Sequence, residues 1–404
     1  YLPDTTEWWI MLIKEISYHK NFKCLEGACP HTCCHGWIIP VDEDEFERYM
    51  QEKGLLKLRL VLAMLFRNGT GFNVRCGSCT FHTKEGLCEL QLKKGHEFLP
   101  SACQEYPRFY RNYGFFEERY LDLSCIQAVR MFFDHMDDLT LIEYEGKEGS
   151  GKCTTNDDGD YLKALGKCRD EMLSLLKKCV GADELNEALK SITDHAKRAQ
   201  GAFVLGDTDF LTRESMVPDG TDTVSLNKET DPAKRNLGDP LSDKAMGRQR
   251  LFPISAEVLR DILGTGLYSP RLRMTNPTLH ELFTLPLKKY RSLMSAEDSW
   301  ETAWRDFVKK YPKTVKICSA YYSYYLLQYY FSAFEDYSFL RHVNMGLIQM
   351  NMVFLLMCLK ERSKGSFTDE DAMEIMACYN RRAYFNEDVK DEMYDTFMSH
   401  FFAS

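Results

Sequence analysis

Apolar residues recur at three- and four-residue intervals along most of the chain, which is the spacing of amphipathic helices. In the first third, this pattern predicts helices at 42–50, 55–66 and 117–134. One face of the last helix would carry Leu121, Cys125, Val129 and Phe132. Residues 160–200 are also helix-forming, with a buried stripe of leucines.

The same spacing continues to the C-terminal end. It predicts helices at 259–263, 279–294, 300–311, 317–334, 340–361 and 369–379. Alternating patterns of the kind that form strands are scarce, so the predicted fold is mainly α.

Two stretches of polar composition divide the chain. The glycine- and charge-rich segment 145–152 predicts a linker, and segment 206–249 predicts a long surface excursion. We therefore expect a cysteine-rich, cluster-binding domain at 1–144 packed on a helical domain at 251–404. Between them, residues 145–250 would form a helical segment with a long flexible surface loop. The substrate or donor site would lie in the C-terminal domain.

Composition and charge narrow the classes of function. A hydrophobic fraction of 44% and a charged fraction of 27% are ordinary for a globular protein. The net charge of −9 argues against nucleic acid as a partner. No stretch approaches the roughly 20 apolar residues that cross a bilayer, and the opening segment lacks the pattern of an export signal. The expected location is the cytoplasm, with no membrane contact.

Cysteine is unevenly distributed. Nine of the 15 cysteines lie between Cys24 and Cys125. The nine are Cys24, Cys29, Cys33, Cys34, Cys76, Cys79, Cys88, Cys103 and Cys125. An odd total, the adjacent Cys33–Cys34 pair and the missing export signal weigh against a disulfide framework. Clustered thiols then indicate a metal site.

Spacing alone leaves the metal open. Iron–sulfur clusters need several thiolates that converge from separate loops. Zinc competes, because Cys29, Cys33, Cys76 and Cys79 would make a tetrahedral thiolate site. His31, His35 or His82 would be able to replace one thiolate in it.

Two groups of cysteines are expected outside the ligand set. Adjacent cysteines do not easily reach one cluster together, so either Cys33 or Cys34 is expected to be a neighbour of the site. Cys318, Cys358 and Cys378 lie inside helical patterns and are predicted to be buried as small apolar side chains.

In four cysteine blocks the sequence resembles the flagellin lysine-N-methylase family. The matching segments are Phe22 to Trp37 with Pro40 to Asp42, Cys79 to Gln91, Leu99 to Arg108, and Leu121 to Cys125. Together they span roughly a third of the chain. One departure follows the last block, where Ile126-Gln127 replaces the Pro-Glu of the family pattern and removes a carboxylate.

The resemblance implies an activity and a cofactor. The family transfers methyl groups from S-adenosylmethionine to lysines of flagellin, and its cysteines suggest a [4Fe–4S] cluster. Carried over by position, the four ligands would come from Cys29, Cys33, Cys34, Cys79, Cys88, Cys103 and Cys125. Flagellin would be the protein partner. Because a polar methyl transfer needs no electron carrier, we favour a structural or positioning role for the cluster.

An aromatic run beginning at Tyr321 is the candidate substrate wall. Tyr321, Tyr325 and Tyr329 are weak catalytic candidates, because aromatic faces attract ammonium and sulfonium groups. An aromatic core helix is the favoured alternative for this run. Two other functions stay open for the whole chain: a non-catalytic iron–sulfur or zinc module that binds proteins, and a redox or metal-handling protein.

Overall fold

A computed structural model describes most of the chain. The described residues are 10–35, 39–65, 71–72, 74–75, 78–147, 153–154, 156–216, 250–265, 281, 297–383 and 387–402. They belong to two compact units, each built from separate stretches of the chain. Unit 1 comprises Tyr1–Thr155, Gly266–Arg291 and Leu356–Val389, and unit 2 comprises Asn156–Thr265, Ser292–Leu355 and Lys390–Ser404. The cysteine-rich segment thus shares unit 1 with a stretch near the C-terminal end. The division at residues 144 and 250 stays a prediction.

Unit 1 contains a four-stranded mixed sheet that the hydrophobic pattern did not predict. In chain order, the described strands are β1 (Ile10–Ile16), β2 (Ile39–Pro40), β3 (Gly71–Phe72), β4 (Val74–Arg75), β5 (Ser78–Cys79), β6 (Arg108–Asn112), β7 (Phe116–Leu121) and β8 (Leu141–Lys147). The large sheet has the order β6-β7-β1-β8. Strand β1 runs parallel to β7, with Leu12 opposite Phe116, and antiparallel to β8, with Ile13 opposite Tyr144.

The sheet corrects two predictions. The predicted helix 117–134 is a strand over its first part, β7, and a helix only from Ile126 to His135. A turn separates them, because the Asp122 carboxylate accepts the Ser124 N–H at 2.7 Å. Strand β8 extends to Lys147, into the predicted linker. Residues 148–152 lie outside the described part of the chain.

Unit 1 has short helices and small β-pairs, and the first four of these helices contribute to an apolar core. The helices are α1 (Glu43–Met50), α2 (Gly54–Met64), α3 (Glu89–Lys94), α4 (Ser101–Glu105) and α5 (Ile126–His135). The core contains Tyr49, Leu60, Phe72, Phe81 and Leu90. The first two predicted helices correspond to α1 and α2.

Unit 2 is helical in its described residues. The helices that follow α5 are α6 (Gly159–Lys177), α7 (Ala182–Val204), α8 (Phe210–Arg213), α9 (Ala256–Leu263), α10 (Glu297–Lys310), α11 (Lys313–Tyr329), α12 (Ala333–Asp336), α13 (Phe339–Lys364), α14 (Asp369–Ala383) and α15 (Glu387–Phe402). All of α14 belongs to unit 1. The mainly α prediction is confirmed. The predicted helix 279–294, apart from Glu281, and residues 217–249 of the predicted excursion lie outside the described residues.

Helix α13 is the one described helix that is long and apolar enough to cross a membrane. Of its most apolar 18-residue window, 94% is buried inside the protein. That burial is typical of a core helix.

Candidate metal centre

Four of the seven predicted ligands converge at the apolar core of unit 1. We call Cys34, Cys79, Cys88 and Cys103 the thiol quartet. Cys79 is 7% exposed and belongs to the core, and the other three pack against it. Electrostatic interactions join all six pairs of these thiols, each thiolate opposing the ionisation of the others. Four sulfurs therefore lie together in one apolar setting.

Local hydrogen bonds bring the first two members together. The backbone N–H of Cys79 donates to the carbonyl oxygen of Cys34 at 2.7 Å. Cys79 ends β5, which pairs with β4, and the isolated bridge between His35 and Ser78 continues this pairing. The N–H of Cys34 donates to the Thr32 hydroxyl at 3.2 Å.

The other two members belong to the ends or interiors of short helices. Cys88 is the N-cap residue of α3, and Cys103 lies in α4. The Glu45 side chain holds α4 in place by accepting the N–H of Ser101. The same carboxylate accepts the N–H of Asp42 in the capping box of α1, so one buried side chain joins α1 to α4.

Burial makes three of the quartet's thiols reluctant to ionise without a cation. It raises the pKa of Cys79 to about 12 and also raises the pKa values of Cys88 and Cys103. Backbone N–H groups oppose this rise: those of Phe81 and His82 donate to the Cys79 sulfur. A bound metal group would repay the cost of forming thiolates here.

A single ion and a cluster require different distances between the thiol sulfurs. Among the residues that the structure describes, no three His, Cys, Asp or Glu side chains are placed to share a single metal ion. A tetrahedral Zn²⁺ needs thiolates about 3.8 Å apart, because each Zn–S bond is about 2.3 Å long. A cubane cluster places an iron between its centre and each thiolate, so its four sulfur ligands lie farther apart. The described thiols are therefore not placed for a single Zn²⁺ ion.

We call the remaining predicted ligands, Cys29, Cys33 and Cys125, the second group. Cys33 hydrogen-bonds to the Cys34 thiol, and this bond, with burial, raises its pKa well above the usual value. Cys125 is the N-cap residue of α5 and interacts electrostatically with Cys29. Cys34 packs against the apolar core, and Cys33 contacts it and interacts electrostatically with Cys103; which of the two is a ligand stays a prediction. Cys24 is exposed, and Cys76 lies outside the described residues.

Three of the histidines in the cysteine segment, His31, His35 and His82, were predicted as alternative ligands. The rings of His35 and His82 are 5.0 Å apart, and His82 Nδ1 is 3.1 Å from the Ser78 hydroxyl. Ser78, His82 and Cys79 line a cleft of about 370 Å³ with Arg59, Leu62 and Thr80. His31 instead faces α14, with its Nδ1 3.9 Å from the Cys378 sulfur.

The tyrosine candidates lie in the interior of unit 2. Tyr321 and Tyr325 are 1% and 6% exposed, and Tyr329 stacks on Tyr325 with ring centroids 4.9 Å apart. Burial raises the pKa of the intervening Tyr322 far above its usual value. This placement favours the aromatic core over the substrate wall.

Cys318, Cys358 and Cys378 are all buried, which confirms that prediction.

Two residues outside the cysteine blocks contact the ligand loops and were not predicted as site residues. Glu45 was detectable, because Asp42 and Glu45 have capping-box spacing. Arg381, from α14, had no local signal.

Three curated proteins resemble this chain, each at 23% identity over 139 residues. Two are named lysine-N-methylase, from Salmonella choleraesuis and Salmonella typhimurium. The third is the flagellar biosynthetic protein FliU of Salmonella muenchen. The chain is their distant relative. The similarity spans 32% of this chain, 35% of each methylase and 82% of FliU. No protein-family profile and no solved structure matches.

Proposed function

We propose that the protein is a cytoplasmic lysine N-methyltransferase that acts on flagellin with S-adenosylmethionine as methyl donor. The similarity to two proteins named lysine-N-methylase and to a flagellar biosynthetic protein carries the proposal. We also propose that the protein holds a [4Fe–4S] cluster, for which the thiol quartet would supply the four ligands.

The quartet would bind the cluster through Cys34, Cys79, Cys88 and Cys103. When bound, the cluster supplies a rigid fourfold cross-link between loops that are distant in the sequence. Two side chains fix the backbone near the ligands by hydrogen bonds: Glu45 accepts the N–H of Ser101 in α4, and Thr32 accepts the N–H of Cys34. We assign the cluster a structural role, because methyl transfer from a sulfonium moves an electron pair and needs no redox step.

The reaction requires a neutral amine in line with the methyl group. The lysine nitrogen forms a bond to the methyl carbon while the carbon–sulfur bond breaks, and the sulfonium becomes a neutral thioether. An ordinary lysine has a pKa near 10.4, so only about one in 10³ is unprotonated at neutral pH. A base or a water path must therefore take the proton, and the reacting atoms must approach to about 3–3.5 Å.

We place the amine at the cleft beside Cys79. Its volume of about 370 Å³ lies in the range of small-molecule sites. The Ser78 hydroxyl and His82 imidazole form a hydrogen-bonded pair there, and the imidazole is a suitable proton acceptor. Among the described residues, the donor has no comparable fit: no glycine follows β1 before residue 27, and Arg59 in the cleft already pairs with Glu89.

Mass spectrometry of flagellin tests the activity. Anaerobically purified protein is incubated with S-adenosylmethionine and unmethylated flagellin, and lysine peptides are weighed for successive methyl increments. Iron, sulfide and zinc are measured on the same sample. His82→Gln should reduce methylation at least about tenfold if the imidazole takes the proton. His96→Gln, at an exposed histidine, is the matched control.

A non-catalytic binding module is the second candidate, because the similarity covers only about a third of each methylase. The module should bind flagellin and retain its metal, yet leave the peptide masses unchanged. That result with an intact cluster would overturn the methyltransferase proposal.

A further inference from the structure

Arg381 of α14 contacts both of the loops that carry the second group of cysteines. Its Nη1 donates to the carbonyl oxygen of Thr32 at 2.9 Å. Its Nη2 donates to the carbonyl oxygens of His31 at 2.9 Å and Ser124 at 3.0 Å. Thr32 and Ser124 immediately precede Cys33 and Cys125, so one guanidinium group fixes the backbone next to two predicted ligands.

The same face of α14 also contacts the side chain of His31, which lies in the first of these loops. Glu374, Cys378 and Arg381 follow at four- and three-residue spacing, which places them on one side of the helix. His31 Nε2 is 3.5 Å from the Glu374 carboxylate, and its Nδ1 is 3.9 Å from the Cys378 sulfur. On the second loop, the Asn380 side chain donates to the carbonyl oxygen of Leu123 at 3.4 Å. Helix α14 therefore docks on both loops along its length.

The positive charge of Arg381 reaches the thiols as well as the backbone. The Arg381 guanidinium interacts electrostatically with the thiols of Cys29 and Cys125. It also interacts with the thiol of Cys34, which belongs to the quartet. No predicted ligand lies in α14, yet its charge acts on both groups of cysteines.

We propose that α14 completes the cysteine site and that Arg381 is its positioning residue. The forked guanidinium holds three carbonyl oxygens at once and keeps a fixed positive charge beside the thiols. A lysine would keep the charge but could not reproduce this planar fork. The inference rests on the proposed function only in taking the quartet as the ligands of a cluster.

The test compares Arg381→Gln and Arg381→Lys with Arg362→Gln, which removes an exposed arginine of the same unit. The first measurement needs no cluster: maleimide labelling of Cys33 and Cys125 in the metal-free full-length protein, followed by mass spectrometry. Labelling of the fully buried Cys318 reports global unfolding. Both Arg381 variants should label Cys33 and Cys125 about tenfold faster than wild type, relative to Cys318, because charged hydrogen bonds are lost.

The second measurement uses the protein reconstituted with iron and sulfide. Arg381→Gln should lose its cluster about tenfold faster and shift the midpoint potential to more negative values, because a nearby positive charge favours the reduced cluster. Arg381→Lys should lose its cluster quickly but keep a potential close to wild type. Arg362→Gln should match wild type in every measurement.

Two outcomes would overturn the inference. One is unchanged labelling and cluster retention in Arg381→Gln, and the other is an equal shift of potential in Arg381→Gln and Arg381→Lys. Failure of the wild type to methylate flagellin would remove the proposed activity and leave the labelling result standing. Failure to take up iron would remove the cluster, again without touching the labelling result.

Discussion

The backbone N–H of Cys79 donates a 2.7 Å hydrogen bond to the carbonyl oxygen of Cys34. This bond joins two cysteine motifs that are well separated in the sequence, and it brings both sulfurs to the same apolar core. Cys88 and Cys103 reach this core from α3 and α4. The division of the motif cysteines into a quartet and a second group follows from these contacts and leads to the first prediction.

Serine substitutions should separate ligands from neighbours. Replacing any one of Cys34, Cys79, Cys88 or Cys103 should remove most of the bound iron, because a hydroxyl is a poor substitute for a cluster thiolate. Cys33→Ser and Cys29→Ser should retain most of it. Iron and acid-labile sulfide per chain are the measurements. Equal iron loss in Cys29→Ser and Cys79→Ser would contradict the quartet.

Cys34 should be the most reactive quartet thiol in metal-free protein. A hydrogen bond from Cys33 lowers the pKa of Cys34 despite burial, and Thr32 adds to the effect. Because thiolates are the nucleophiles, iodoacetamide near neutral pH should modify Cys34 several-fold faster than Cys79 or Cys103. Peptide mass spectrometry over a pH series measures the rates.

Two substitutions at position 33 provide the matched controls for this prediction. Cys33→Ala removes the donor, so the pKa of Cys34 should rise and its alkylation profile should move to higher pH. Cys33→Ser keeps a donor and should move the profile less. An identical profile in the two variants would rule out the hydrogen bond as the cause.

The helices were predictable because their signal is local, whereas the sheet was not. The predicted helix 300–311 corresponds to α10, in which Trp300, Trp304 and Phe307 are buried at helical spacing. Strand β7 contains Glu117 and Glu118, which are fully buried. Buried carboxylates look like surface residues in a hydrophobicity pattern, and the parallel partner of β7 is the distant strand β1.

The candidate site shows the same limit. Residue type and density identified the cysteines, but spacing alone did not show which four converge, since Cys33 and Cys34 are adjacent in the sequence. The contact between Arg381 and Ser124 joins residues far apart in the chain, and no periodic pattern encodes it. Local motifs therefore indicate the chemistry, and tertiary contacts select the residues that take part.

Glu45 should contribute more to the free energy of unfolding than an ordinary helix-capping residue does. It is 6% exposed and accepts the N–H groups of both Asp42 and Ser101. Glu45→Gln should lower the free energy of unfolding by about 1–3 kcal/mol, because two backbone donors lose a charged acceptor. Glu43→Gln, at an exposed position in the same first turn, should change it by less than about 0.5 kcal/mol. Urea unfolding measures both, and equal effects would argue against the cross-link to α4.

Asp371 should make the start of α14 sensitive to acid. Burial acts to raise the pKa of its carboxyl, but hydrogen bonds from Lys364 and Thr368 outweigh burial and hold the pKa below its usual value. A lowered folded-state pKa stabilises the protein above the unfolded-state pKa, near 3.9, and the contribution disappears as the pH falls through the folded-state value.

Asp371→Asn should therefore cost about 1–2 kcal/mol at pH 7 and progressively less below about pH 4. Urea unfolding across this range gives the difference. Asp160→Asn, at an almost fully exposed carboxylate in the first turn of α6, is the control and should change the free energy of unfolding by only a few tenths of a kcal/mol. A constant cost from pH 7 to pH 3 would show that the charge of Asp371 is not the cause.

Gly346 should tolerate no larger side chain, because α13 lies against the tyrosines of α11 at this point. A Cβ at Gly346 would be 2.5 Å from Tyr325 Cδ1 and 2.7 Å from Tyr322 Cε2. Gly346→Ala should destabilise the protein by about 1–3 kcal/mol through overpacking, although alanine favours helices by about 1 kcal/mol. Gly166→Ala in α6 is the opposite case, since the nearest contact there is Phe331 Cζ at 3.7 Å. It should stabilise by about 0.5–1 kcal/mol in thermal or urea unfolding. If Gly346→Ala were equally stabilising, Tyr322 and Tyr325 would have room to move. That result would favour the aromatic run as a substrate wall over a packed core.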